Sequence, residues 1–165
     1  MYYINVFFIF SILGHTIENF VYKHVDSGIF SGYWTPIYGV GVILIILIHN
    51  ILKKRKINKY LYPFVLFIIN ALILSTLECL GGITIEKLFG RIFWDYSSQQ
   101  FNIGKYTSLR MFLIWGSTSI LVVYILKPLI DKVTKKIPKF ITHILVFLFI
   151  FDIIFTIVNL GNFLS

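Results

Sequence analysis

Hydrophobic residues in this chain come in long unbroken runs separated by short polar punctuation. Ser27 to Leu52 contains no formally charged residue, and neither does Tyr60 to Leu77. Each run is close to the roughly 20 residues that an α-helix needs to cross a bilayer. Carried along the whole sequence, the pattern predicts five spans at about 2–22, 33–52, 60–82, 106–126 and 140–160. All are expected to be helical, because a bilayer interior offers no water to backbone amides and runs of this length do not suit barrel strands of roughly ten residues. The first run, Met1 to Ile17, lacks a basic leader and an A-x-A cleavage pattern, so it reads as a retained span. The expected architecture is therefore all-α: one polytopic membrane helix bundle occupying residues 1–165 as a single integral membrane domain.

Composition agrees. The 165 residues are 58% hydrophobic and only 13% charged, against roughly 25% charged in an ordinary soluble domain. The formal net charge of +8 could point to nucleic acid, but its placement argues for membrane orientation instead. Of the 15 Lys and Arg residues, five lie in Lys53–Lys59 and five in Lys127–Lys139, and both segments join apolar runs. Under the positive-inside rule these are cytoplasmic loops, positioned to touch anionic head groups of membrane lipids. The N-terminus is then cytoplasmic, and Lys23, Lys87, Arg91, Lys105 and Arg110 fall on the opposite side. For a bacterial chain the expected location is the cell membrane, with several passes. The single Cys79 cannot form an intrachain disulfide and is expected to be a buried, inert thiol.

The few acidic residues gather at one predicted membrane level. Glu18 and Glu78 stand near the outer ends of the first and third spans, and Glu86 and Asp95 lie in the connection that follows. Arg110 opens the fourth span. A carboxylate at the bilayer centre costs about 2.5 to 3.5 kcal/mol on insertion scales, so Glu18 and Glu78 are expected near the rim, paired, or lining water. Arg110 is the natural partner, since a guanidinium can hold two carboxylate oxygens at once. Tyr33, Trp34, Trp94, Tyr96 and Tyr106 sit where amphipathic rings settle among head groups. The second span enters through Trp34-Thr35-Pro36-Ile37-Tyr38-Gly39, with Pro36 expected to loosen its first turn. Glu78, Gly82, Glu86 and Gly90 recur every four residues, and the glycines of this stripe are expected to admit a neighbouring helix. Asp152, Thr156 and Asn159 form a second thin polar stripe that should face other helices. His15 and Glu18 share a face, but no zinc or other metal motif accompanies them, so no metal and no cofactor is assigned.

Residues Leu13-Gly14 with Glu18, Pro36-Ile37-Tyr38-Gly39 with Gly41, and the succession Glu78, Gly82, Glu86-Lys87, Phe89-Gly90, Trp94-Asp95-Tyr96-Ser97, Asn102, Gly104, Leu109 and Trp115-Gly116 resemble the CmpB-type ABC-transporter permease family, which takes in the transmembrane protein 229 family. The resemblance runs from about Phe8 to Pro128 and leaves out the last basic loop and span. Departures include His15 after Gly14, Tyr33 after Gly32, and Ser117-Thr118 after Trp115-Gly116. What the resemblance implies is a small multi-span membrane protein with a permease label; beside it, Glu18, Glu78, Glu86, Trp94, Asp95, Tyr96, Asn102 and Arg110 are the expected polar or ligand-binding cluster. Pro36, Tyr38, Gly39, Gly82 and Gly90 would then be packing or entry residues. No G-x-x-x-x-G-K-[ST] phosphate loop occurs in these residues, so ATP hydrolysis would come from a partner membrane subunit or ATPase in trans. Three functions compete: a transport-related subunit that binds a small solute or lipid, a lipid-modifying enzyme using one of the carboxylates as base, and a scaffold in which the charges only secure packing. Nothing points to nucleic acid, and no complete catalytic motif is present.

Overall fold

The computed structural model describes residues 1–22, 30–90 and 92–164, and Lys23 and Arg91 lie outside them. Five long helices account for most of these residues: α1 (Tyr2–Tyr22), α2 (Pro36–Lys53), α3 (Tyr62–Phe89), α4 (Leu109–Thr134) and α5 (Lys139–Leu164). A two-stranded antiparallel hairpin, β1 (Asn102–Ile103) and β2 (Thr107–Ser108), precedes α4. α2, α3, α4 and α5 are each long and apolar enough to cross a membrane among the described residues. In α1, Asn5, Ser11, His15, Thr16, Glu18 and Asn19 dilute the apolar run. Large apolar side chains stand bare on the helix surfaces, Phe64 at 71% and Phe147 at 69% exposure, as they would where lipid is the solvent.

Helix ends follow local chemistry. Pro36 occupies the first position of α2, where the N–H it lacks would have had no intrahelical partner, so it starts the helix rather than loosening it. α3 runs through Gly81-Gly82, two turns beyond the expected end at 82, and stops where Gly90 adopts φ +63° and donates its N–H to the Glu86 carbonyl. Gly90 thus serves the helix end; a side chain there would meet nothing within 4 Å, so it is not a packing site. Ser108 caps α4 by accepting from the Met111 N–H at 3.3 Å. Further along α4, Val122–Leu126 widens into a π turn in which the Lys127 N–H reaches back five residues to the Val122 carbonyl. Pro128 follows at once, and its missing N–H and ring clash with the preceding turn account for the changed ladder.

The described backbone forms two compact units, Met1–Val40 with Ile130–Ser165, and Gly41–Leu129. In the first, α1 and the start of α2 approach so closely that a side chain on Gly39 would lie 2.5 Å from the Phe7 carbonyl oxygen. Phe7, Phe8, Phe30 and Trp34 gather around Phe149 of α5. Buried Thr142 donates to Asn5 Oδ1 at 2.6 Å, and Tyr2 donates to Asp131 Oδ1 at 2.6 Å. In the second unit, α3 and α4 form the main helix pair. Leu66, Ala71 and Leu74 of α3 and Trp115, Val122 and Val123 of α4 are buried there, and Gly116 accepts the ring of Phe67. Cys79, one position around the helix from buried Glu78, is half-exposed rather than buried.

Candidate functional site

The second unit concentrates its polar chemistry on one face of α3. Glu78, Gly82 and Glu86 are four residues apart and therefore stack one above another along the helix. The segment 92–108 folds back over this stripe and meets it at three levels. At the first, Glu78 is 3% exposed and accepts from Tyr96 OH at 3.1 Å and from Thr107 Oγ1 at 2.9 Å. At the second, Gly82 carries two aromatic rings: a side chain there would come within 2.9 Å of Tyr106 Cδ1 and 3.2 Å of Trp94 Cζ2. At the third, Glu86 accepts from Lys105 Nζ at 2.6 Å and from Tyr106 OH at 2.8 Å. The close approach that the glycine permits is thus made by rings of the following segment, not by a neighbouring helix.

Local turns shape the segment so that it can reach the helix. Asp95 Oδ1 accepts the Ser97 N–H at 2.8 Å, and Asn102 Nδ2 donates to the carbonyls of Ser97 at 2.7 Å and Gln99 at 2.8 Å. The hairpin reverses at Gly104, whose φ of +57° suits a residue without Cβ. Trp94 Nε1 donates to the Tyr106 carbonyl at 3.0 Å, and the Tyr96 N–H donates to the Lys105 carbonyl at 3.0 Å. Gly82, Ile85, Glu86, Ile92, Phe93, Trp94 and Tyr106 line a small pocket with room of about 10 Å³, the space of about one water molecule.

Electrostatics within the segment follow from these contacts. Hydrogen bonds from the Ser97 backbone and side chain hold the Asp95 carboxyl below its ordinary range, and the hydrogen bond to Glu86 holds the Lys105 ammonium above its own. A depressed carboxylate contributes stability that is complete above its unfolded pKa of about 3.9 and is lost as pH falls through the lower folded value. Acid titration followed by tryptophan fluorescence is therefore expected to show loosening of the 92–108 segment below about pH 4, and Asp95→Asn should weaken that acid limb.

The first unit holds its own carboxylates. Glu18 accepts from Tyr38 OH at 2.9 Å and Thr35 Oγ1 at 3.4 Å. Buried Asp152 accepts from the Gly32 N–H at 3.0 Å and Trp34 Nε1 at 2.8 Å. The stripe on α5 does face inward, as Asp152 and Thr156 are both buried. Gly14 carries the Tyr38 ring, and the Thr35 N–H donates to the Ser11 carbonyl at 3.0 Å, which fixes the entry to α2.

Of the eight expected cluster residues, Glu78, Glu86, Trp94, Asp95, Tyr96 and Asn102 all belong to the α3 stripe and its folded-back segment. Glu18 belongs to the other unit. Arg110 does not serve Glu78: it stands exposed in the first turn of α4 with no hydrogen-bond or ion-pair partner among the described residues. Hydroxyls take that role because Tyr96 and Thr107 reach Glu78 from the segment itself. Glu78, Glu86 and Asp95 each have separate protein partners, and among the described residues no three His, Cys, Asp or Glu side chains gather as a metal site. Lys105 was legible in the sequence only as one of several outer cations able to neutralise a carboxylate, and Thr107 not at all; the Gly104 turn just before them was the available signal.

The family model described as "Putative ABC-transporter type IV" matches residues 5–157. The chain belongs to this family. The match continues through the last basic loop and into α5, farther than the motifs of the Phe8 to Pro128 region alone reach. No curated protein and no solved structure matches the chain. Together with four helices able to cross a bilayer, membership of this type IV family makes the chain a transporter-related integral membrane protein.

Proposed function

We propose that this type IV family member is a five-pass subunit of the cell membrane that binds a small solute or a lipid head group at the surface around Glu86, where only a group of about the size of water enters the pocket. The observation that carries this reading is the pocket itself: Glu86, Phe93, Trp94 and Tyr106 line it, and the rings of Trp94 and Tyr106 rest on Gly82. Few polar groups set in apolar and aromatic walls are the usual make-up of a small-molecule site. The positive-inside rule puts the N-terminus and both basic loops in the cytoplasm and the pocket on the far side. An ATP-hydrolysing partner in trans would supply energy, since no phosphate loop occurs in these residues.

A scaffold is the second reading, favoured by the fact that Glu78 and Glu86 already have protein partners. Gly82→Val separates the two. The added side chain drives the Tyr106 and Trp94 rings off α3 and closes the pocket. Mass spectrometry of the purified protein is expected to find a co-purifying solute or lipid with the wild type and at least tenfold less with Gly82→Val, roughly the loss that 1.4 kcal/mol of binding energy represents. Equal complements in both proteins would favour the scaffold.

A further inference from the structure

The Glu86 site already contains a cation. Lys105 Nζ lies 2.6 Å from Glu86 Oε1 and 5.7 Å from the centroid of the Tyr106 ring. Tyr106 donates to the other carboxylate oxygen, so Glu86 is oriented with one oxygen presented to the ammonium. Trp94 and Tyr106, held on Gly82, complete the aromatic wall. This is the chemistry that recognises an ammonium group: a carboxylate that accepts its N–H donors beside π-faces that attract its charge.

The resident ammonium is also able to leave. The Lys105 and Glu86 side chains are 28% and 30% exposed, so the pair is partly solvated. Lys105 follows the Gly104 turn of the hairpin, and its four-carbon stem can swing away while the backbone stays paired through β1 and β2. Exposed pairs of this kind contribute little, about 0 to 1 kcal/mol, so an incoming ammonium exchanges one ion pair for another at small net change. Glu86 stands two residues before the end of Tyr62–Leu88, a stretch long and apolar enough to cross a membrane, and the ends of a helix of that length reach the head-group level.

We propose that Glu86, Trp94 and Tyr106 form an exchange site for a primary ammonium group, in which a ligand –NH₃⁺ displaces Lys105 Nζ from Glu86. This rests on the reading of the pocket as a binding site and names its ligand class. The amine belongs to a lipid head group of the ethanolamine type or to a small free amine. A quaternary ammonium is disfavoured because it has no N–H for Glu86. Anions are disfavoured by Glu86 itself.

The test uses the full chain in nanodiscs of choline-head-group lipid, probed with ethanolamine and with tetramethylammonium, and in a second set containing ethanolamine-head-group lipid. Saturable ethanolamine binding in choline-lipid discs marks a free-amine site, whereas enrichment of ethanolamine lipid around the protein without free-amine binding marks a lipid site. Either is expected to be lost in Glu86→Gln. Lys105→Met, which removes the competing cation and keeps the stem, is expected to bind roughly fivefold tighter, the ratio that an exposed ion pair of ~1 kcal/mol represents. Equal affinity of wild type and Lys105→Met, retained binding in Glu86→Gln, or tetramethylammonium binding as well as ethanolamine each overturns the proposal. If a Gly82-dependent ligand co-purifies but no amine competes for it, the ammonium assignment falls and the pocket reading stands. If nothing depends on Gly82 and no amine binds, both fall.

Discussion

Replacing Glu78 with alanine is expected to destabilise the protein by about 2–4 kcal/mol, the range for stripping partners from buried polar groups and opening a cavity. Glu78 is 3% exposed and accepts hydroxyls from two different places in the folded-back segment, Tyr96 and Thr107. Alanine removes both of the carboxylate oxygens that these hydroxyls share. Glutamine keeps one carbonyl oxygen but turns an NH₂ towards the second hydroxyl, so Glu78→Gln should fall between the two. Thermal melting of the detergent-purified variants orders them wild type, Gln, Ala. Loss of stability in Glu78→Ala together with unchanged stability in Lys105→Met would separate the two carboxylates physically: Glu78 fastens the segment to α3, and Glu86 carries exchangeable charge. A Glu78→Ala protein that melts with the wild type would mean the segment is held without this clasp.

Sequence pattern made the helices legible because membrane spans are written in consecutive residues. The expected 2–22 and the observed Tyr2–Tyr22 coincide, and the 140–160 span differs from Lys139–Leu164 only at its ends. α3 was harder, because Gly81-Gly82 looks like a stop. Glycine in a helix interior costs only about 1 kcal/mol relative to alanine, and continuing the helix lines up Glu78, Gly82 and Glu86 for the segment above them. The carboxylates were visible for the same reason, as charges out of place in an apolar run. Their partners were not. Lys105 is 19 residues from Glu86 and Thr107 is 29 from Glu78, and both pairings depend on where the chain reverses. Arg110 looked the better partner because a guanidinium is the stronger ligand in principle. It lost to two hydroxyls placed closer by the turns that Asp95 and Asn102 hold. Trp94 and Tyr96 read as rings settled among head groups, and the fold turns their polar atoms to the Tyr106 carbonyl and Glu78.

Gly39→Val is expected to be the most damaging substitution in the first unit. A Cβ at Gly39 would stand 2.5 Å from the Phe7 carbonyl oxygen, 2.5 Å from Ser11 Oγ and 2.8 Å from Phe7 Cδ2. Crowding against a flexible side-chain tip can be relieved by a change of rotamer; crowding against the backbone of α1 cannot. The helices must separate, and with them go the Thr35 N–H bond to the Ser11 carbonyl, the Tyr38 hydroxyl bond to Glu18 and the seating of the Tyr38 ring on Gly14. Overpacking alone typically costs about 1–3 kcal/mol, and the lost hydrogen bonds add about 1 kcal/mol each, so the variant should melt far below the wild type or fail to accumulate in the membrane. Gly81→Ala supplies the control, since it also adds a side chain to a helical glycine. Nothing lies within 4 Å of its Cβ, and alanine is the better helix former by about 1 kcal/mol, so its melting temperature should equal or exceed that of the wild type. If both variants melt together, glycine at position 39 is not what allows α1 and α2 to meet.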